Sequence, residues 1–332
     1  MSELKGKRLF LLDGMALAYR SFFAFIRNPL INSKGMNTSG IFGFTNTLLK
    51  ILRDENPDYI AVVFDTSVPT FRHKQFPEYK ATRERMPDEL RHQIPMMRDM
   101  VKAFNIPLLE KDGYEADDVM GTLAKQAEAA GMQVYLVSGD KDLMQLVSDQ
   151  VCMIGFARGN TNEVQTIGIQ GVQKKSGEKP EKVIDVLGLM GDSSDNVPGV
   201  PGVGPKTALN LILQYGNLES VLNHAEDVKR QNVRENLIAF REQALLSKEL
   251  VTIDVNVPVD TPIESLIRSE MNQDEVKFLF QAYEFNQLLS QIDYSEPSES
   301  QAVKREYHTP ATLAELDDFI LKLSQQTMFA LD

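Results

Sequence analysis

Apolar residues run unbroken through Leu9-Phe10-Leu11-Leu12, through Tyr59-Ile60-Ala61-Val62-Val63-Phe64 and through Val134-Tyr135-Leu136-Val137. Runs this short, with no polar alternation, suit strands buried on both faces of a parallel sheet. Between them the pattern is that of helices: Ala16 to Phe25, Gly40 to Arg53 with Pro57 as its stop, Met86 to Phe104 despite Pro95, and Glu115 to Ala130. Strands alternating with helices predict an α/β fold, a doubly wound and mainly parallel sheet. Val183 to Met190 is again helical, and Leu209 to about Gln291 reads as further helices. The stretch from Gly155 to Asn160 is polar and Gly-rich, and Ser295 to Gln301 has a linker's composition. A helical pattern at Leu313 to Leu323 and a strand-like run ending at Asp332 complete the chain. The expected organisation is an α/β core over residues 1–182, a helical region over 183–292, a linker over 293–307 and the opening of another domain over 308–332. A domain does not end on half a βα unit, so the natural chain is expected to be longer.

The first two strand runs end in acids, Asp13 and Asp65, and the third is followed by Ser138-Gly139-Asp140-Lys141-Asp142. Ligands of doubly wound sheets bind outside the carboxyl ends of the strands. Gly113-Tyr114-Glu115-Ala116-Asp117-Asp118 opens the helix before the third strand. Asp and Glu favour a helix's first turn through capping and the dipole. Capping does not account for further acids at strand ends. Gathered carboxylates repel, and a hard cation such as Mg²⁺ or Mn²⁺, which prefers oxygen ligands, relieves them. Asp192 and Asp195 stand three apart, so on a helical turn they would share one face.

Two other stretches carry candidate chemistry. Residues 70–85 interleave basic and aromatic side chains, among them Tyr79, Lys80 and Arg83, without a clean core period. Phosphate contact with base stacking wants such a composition, and a solvated loop also allows it. Gly202-Val203-Gly204-Pro205-Lys206-Thr207 reads as a tight turn feeding a helix with Pro205 in its first position. The free N–H groups at that helix start, with Lys206, suit a phosphate, and a plain helix–hairpin–helix packing role is the alternative.

Composition narrows little further. Hydrophobic residues at 42% and charged residues at 25% describe an ordinary globular chain. No apolar run approaches a membrane span, and Asp13 cuts the first one too short for a signal peptide. Cys152 is the one cysteine, so internal disulfides and thiolate metal sites are excluded, and the four histidines form no zinc pattern. A cytoplasmic protein is expected. The net charge of −12 argues against a non-specific nucleic-acid coat but not against a nucleic-acid enzyme with local basic patches.

The ordered set Leu12-Asp13-Gly14, Val63-Phe64-Asp65, Glu78 to Arg83, Gly113 to Asp118, Gly139 to Asp142 and Met190 to Asn196, with the Gly-rich turn behind it, resembles the 5′ nuclease domain of bacterial DNA polymerase I. That domain belongs to the flap endonuclease family, with a PIN-like core. The resemblance covers about residues 5–292, and Tyr307 to Asp332 is similar to the opening of the 3′–5′ exonuclease-like domain next in that polymerase. It implies a metal site of Asp13, Asp65, Glu115, Asp117, Asp118, Asp140, Asp142, Asp192 and Asp195, and two-metal phosphodiester hydrolysis. It places Tyr79, Lys80 and Arg83 in an arch over about residues 70–95 traversed by the 5′ strand, with Arg20 close by. Gly202, Gly204, Lys206 and Thr207 would grip duplex DNA, with a monovalent cation such as K⁺ on the turn's carbonyls. Expected substrates are 5′ flaps, nicked duplex and RNA primers on DNA, cut by a nucleoid-associated monomer whose natural chain continues into a polymerase. Two alternatives stand beside this one, a PIN-type RNA nuclease and a non-catalytic DNA-junction module. Glu84-Arg85 departs from the Pro-Pro expected there, and Gly155 to Gly177 matches only loosely.

Overall fold

The computed structural model describes residues 4–156, 164–292 and positions 312, 317 and 319. The expected linker and tail, and most of the polar stretch after Gly155, lie outside the described residues. Met1–Leu288 form one compact unit and Leu289–Asp332 a second.

The first unit is built on a six-stranded sheet. Its central strand β1 (Arg8–Asp13) has no exposed side chain from Leu9 to Leu12. The chain continues through α1 (Gly14–Ala24) and α2 (Ser39–Lys50) to β2 (Tyr59–Val63). One wider-wound turn, Ile51–Glu55, extends α2 and stops at left-handed Asn56 (φ 44°). A short helix α3 (Phe71–Gln75), α4 (Asp88–Ala103) and the two-residue β3 (Leu108–Leu109) come next, then α5 (Ala116–Ala129), β4 (Gln133–Val137), β5 (Val151–Phe156) and β6 (Val164–Ile167). The strand order is β3-β2-β1-β4-β5-β6, parallel except for the antiparallel pair β5–β6. The doubly wound, mainly parallel architecture is thus present, with β3 and β6 as edge strands that hydrophobic patterning did not indicate. Both are short, and β6 carries only Val164 and Ile167 as apolar residues.

The chain builds outward from β1 in both directions, first to β2 and later to β4, so the order reverses beside β1. A crevice outside the carboxyl ends of the strands forms at such a reversal. Register places Asp13 opposite Val63 and Leu12 opposite Val137, which brings the segments after β1, β2 and β4 out at one edge.

Helices α6 (Ile169–Ser176) and α7 (Val183–Met190) lead into α8 (Pro205–Tyr215), α9 (Leu218–Asn223), α10 (Gln231–Ala239), α11 (Arg241–Val251) and α12 (Gln273–Ala282). Leu189, Val203, Ala208, Ile212, Leu218, Val233, Leu237 and Ala244 close a second apolar core among α7 to α11. Among the described residues no helix is long and apolar enough to cross a membrane.

Candidate active site

Asp13 ends β1 and caps α1: its Oδ1 accepts the Ala16 N–H at 2.8 Å, and Ser138 Oγ donates to its Oδ2 at 2.9 Å. Asp65 lies just after β2 and accepts the Ala116 N–H at 2.9 Å, so it caps the start of α5 from outside that helix. Asp140 lies just after β4 and accepts the Asp142 N–H at 2.9 Å. Asp117, half-buried in the first turn of α5, completes an inner group of four carboxylates from four chain segments. Burial pushes the Asp13 carboxyl up to about 6, and the Asp65 and Asp140 charges add to the effect. Burial and the charges of Asp13, Asp140 and Asp65 drive Asp117 well above the usual carboxylate range. Asp142 stands beside them, lifted to about 7 by burial, Asp140 and Asp192, and its buried Oδ1 has no hydrogen-bond partner.

A second, outer group is paired with bases. Lys80 Nζ lies 2.6 Å from Glu115 Oε1 and 3.6 Å from Asp195 Oδ2. Arg83 Nη2 lies 2.5 Å from Asp195 Oδ1, and Lys141 Nζ lies 2.9 Å from Asp192 Oδ1. Burial raises Asp195, but Lys80 and Arg83 outweigh it and hold its carboxyl below the usual range. Lys80 sits at φ +59° with its N–H bonded to the Asp195 carbonyl at 2.9 Å. A lysine held in left-handed backbone by its surroundings is common at functional sites.

Three expectations need correction. Asp192 and Asp195 do not share a helical face, because residues 192–197 form a turn closed by the antiparallel bridge Asp192–Val197. The turn sends Asp192 to Lys141 and Asp195 to Lys80 and Arg83. Asp118 faces the core and meets only Glu115 among the acids, the two sharing Arg72 Nη1 at 2.7 and 3.5 Å. It is fully buried, takes Arg72 Nη1 and Nη2 at 2.7 Å each, and accepts the N–H groups of Glu115 and Asp254. Tyr79 is not presented for base stacking: it is buried, with Oη 3.1 Å from Glu115 Oε2 and 3.0 Å from Asp195 Oδ2, its one proton shared between them.

Arg72, which the sequence did not single out, carries helix α3 into the core. Its guanidinium also donates to the Leu250 and Thr252 carbonyls and lies over the Phe71 ring. Lys141 gives no sequence signal either, hidden between two aspartates. Glycines at 191 and 199 are equally silent in the sequence: both have positive φ, and a Cβ on either would lie 2.2–2.4 Å from backbone of the other arm of the turn.

Arg20 lies half-buried on α1. In the hairpin, Gly202 has φ +76° and Gly204 caps α8 in extended conformation, with Pro205 at the first helical position. A Cβ on Gly204 would meet nothing within 4 Å, so that face of the turn is open to a partner rather than packed. Lys206 is exposed and Thr207 half-buried. Lys206 lines, with Lys141, Lys175 and Leu209, a cavity of about 300 Å³.

Among the described residues no three acids are arranged to cage an ion as they stand. The residues nevertheless fit a hard divalent cation. Every donor is an oxygen, Asp142 Oδ1 is buried without a partner, and like charges strain Asp13 and Asp117. This has a measurable consequence. Folded Asp13 and Asp142 keep protons up to about 6 and about 7, whereas unfolded aspartate loses them near 4. The folded state therefore binds more protons through that window, and these groups lower stability as pH rises across it. Adding Mg²⁺ should raise the melting temperature more at pH 8 than at pH 5, checked by differential scanning fluorimetry. Equal increments at both pH values would separate the acids from cation binding.

The 5′-3′ exonuclease N-terminal resolvase-like domain model matches residues 8–177, and the 5′-3′ exonuclease C-terminal SAM-fold model matches residues 178–274. DNA polymerase I of Bacillus subtilis is 42% identical over 301 residues, 90% of this chain and 34% of the relative. The chain thus spans about a third of the length of such relatives. The 5′-3′ exonuclease of Aquifex aeolicus is 40% identical over 287 residues, covering 86% of this chain and 96% of its own. The flap endonuclease of bacteriophage T5, solved with DNA and metal ions, shares the fold at a TM-score of 0.61, 23% identity and coverage of 84% and 100%. With both family models matched in sequence order, the chain belongs to the 5′-3′ exonuclease family.

Proposed function

We propose that this 5′-3′ exonuclease domain is a structure-specific 5′ nuclease that hydrolyses DNA at 5′ flaps and nicks with two Mg²⁺ or Mn²⁺ ions. The observation that carries it is the meeting of Asp13, Asp65, Asp117 and Asp140 outside the carboxyl ends of β1, β2 and β4, with Asp13, Asp65 and Asp117 held above their usual range. The T5 relative's bound DNA and metal ions agree with it. Bound ions would lower the pKa of the attacking water and offset charge developing on the phosphate. The inner acids, with Asp142, supply the oxygen donors, and Glu115, Asp192 and Asp195 supply the outer ones. Asp118 is left out of the ligand set, and Tyr79 is assigned to holding Glu115 and Asp195 rather than to DNA. Lys80 and Arg83, with Arg20 nearby in sequence to Asp13, orient the reacting phosphate. The α8 N-terminus with Lys206 and Thr207 holds a duplex phosphate well away in sequence, and K⁺ on the turn's carbonyls would assist. RNA primers on DNA are within the substrate class. The domain acts as a monomer in the cytoplasm, with residues 1–182 as catalytic core, 183–292 as duplex grip, and a polymerase in the same natural chain. A 5′-labelled flap and a nicked duplex, incubated with Mg²⁺ or with EDTA, test this. Short 5′ products with Mg²⁺ alone support it, and uncut flap overturns it.

Grip and chemistry separate in Lys206→Ala. A phosphate contact carries no sequence information, so its loss weakens all duplexes alike. The dissociation constants for flap and nick should rise by similar factors, and the slope of log K against log salt should fall by about one unit. Turnover at saturating substrate should hold. Anisotropy titrations in Ca²⁺ read the slope, and an unchanged slope returns the hairpin to packing.

A further inference from the structure

We infer that Lys80 and Arg83 stand in for a divalent ion over Glu115 and Asp195, and that entry of an ion there displaces both side chains towards the substrate. The inference rests on the metal-nuclease reading above and deepens it.

The two acid groups are held in different ways. Inner Asp13 and Asp65 are held by neutral donors, the Ala16 and Ala116 N–H groups and the Ser138 hydroxyl. Glu115 and Asp195 face cations instead: Lys80 reaches both and Arg83 reaches Asp195, while Arg72 Nη1, already bonded to Asp118, lies 3.5 Å from Glu115 Oε2. Two monocations over two carboxylates carry the same charge as one divalent ion. Their exchange therefore leaves the local charge unchanged, whereas an ion added beside them would sit against two positive heads at contact distance. One ion can enter the inner group without displacing a base. A second cannot take Glu115 and Asp195 until Lys80 and Arg83 leave.

The structure also shows what would stay in place. Lys80 is tied at its backbone to the Asp195 carbonyl, and Asn196 Nδ2 donates to the Glu78 carbonyl at 2.8 Å. These bonds hold the segment against the turn while the lysine's flexible stem swings. Tyr79 Oη, between Glu115 Oε2 and Asp195 Oδ2, keeps the two acids together through the exchange. Lys141 on Asp192 is a third base in the same arrangement. The displaced heads remain on the site's rim, where a phosphate is the anion available to them. Ion loading and phosphate capture would then be one event, and the free enzyme would hold its outer acids neutralised until that event.

Amine acetylation read by mass spectrometry tests this without substrate. In the wild-type chain, Lys80 is 19% exposed at its side chain and ion-paired, so it should label slowly without metal. Saturating Mn²⁺, with bound ions counted by electron paramagnetic resonance, should raise Lys80 labelling several-fold and leave exposed Lys206 unchanged. Lys80→Met should tighten the weaker Mn²⁺ site by about tenfold, a coupling of ordinary size between two competing occupants. Constant Lys80 labelling with two Mn²⁺ bound overturns the exchange while leaving the nuclease reading intact. Failure to bind Mn²⁺ at all overturns the nuclease reading, and the exchange with it. Should Lys80→Met prove unstable, Lys80→Arg keeps the charge and should leave Mn²⁺ affinity at the wild-type value.

Discussion

Asp117→Asn and Asp140→Asn are each expected to slow cleavage of a 5′ flap by roughly 10²–10³-fold, the usual effect of removing one fixed electrostatic partner of a transition state. Both residues stand in the inner group, yet they come from the start of α5 and the loop after β4. Binding of flap DNA in Ca²⁺ should persist, because the hairpin before α8 is a separate element. Asp117→Asn carries a second signature. Its carboxyl is held above the normal range by burial and by Asp13, Asp140 and Asp65, so ionising it at pH 8 works against folding. Each unit of such a shift corresponds to about 1.4 kcal/mol. Without metal the variant should therefore melt higher than wild type at pH 8. Wild-type turnover in either variant, measured with Mg²⁺ at saturating flap, would remove that residue from the site.

One residue further along, the expectation reverses. Asp118→Ala should destabilise the fold by about 3–5 kcal/mol, because it leaves the buried Arg72 guanidinium with only the longer 3.5 Å contact to Glu115 as counter-charge. At this chain size that is roughly 5–7 °C in melting temperature. Pairing Asp118→Leu with Arg72→Met should recover only part of the loss, since it removes the unpaired charge but strips the Glu115 and Asp254 N–H groups and the Leu250 and Thr252 carbonyls of their partners. Urea denaturation of wild type, Asp118→Ala and the double variant decides it. A single variant as stable as wild type, with an ion lost from the site, would return Asp118 to the ligands. Neighbouring carboxylates thus differ in sign: Asp117 strains the metal-free fold and Asp118 holds it.

The sheet and the inner acids were legible because each rests on a local signal. Leu9–Leu12, Tyr59–Val63 and Val134–Val137 are apolar runs, and parallel register alone brings the acid-bearing segments after them to one edge. The hidden features depend on partners distant in sequence. Asp117 and Asp118 look alike in a helix's first turn. Only the return of Arg72, 46 residues earlier, consumes the second one. The divergence of Asp192 and Asp195 was hidden for the same reason. Three-residue spacing suggests a shared face only on a helix, and positive φ at Gly191, Asn196 and Gly199 marks a turn instead. Tyr79 illustrates composition misleading: aromatic and basic residues together suggest stacking on bases, yet its ring is buried and its hydroxyl serves carboxylates.

The two glycines at 191 and 199 bear on how a mutational map of this domain would look. Any side chain at Gly199 would overlap the Gly191 nitrogen, at 2.2 Å from its Cβ, and φ +60° already disfavours it. The chain would escape by opening the turn, and Asp192 and Asp195 would drift from their stations while every acid remained in the sequence. A deep scan scored on cleavage would show intolerance at Gly191 and Gly199 as sharp as at the carboxylates themselves. Inferring chemistry from that profile alone would mistake hinge pins for tools, and inactive natural variants would arise here with all their carboxylates intact.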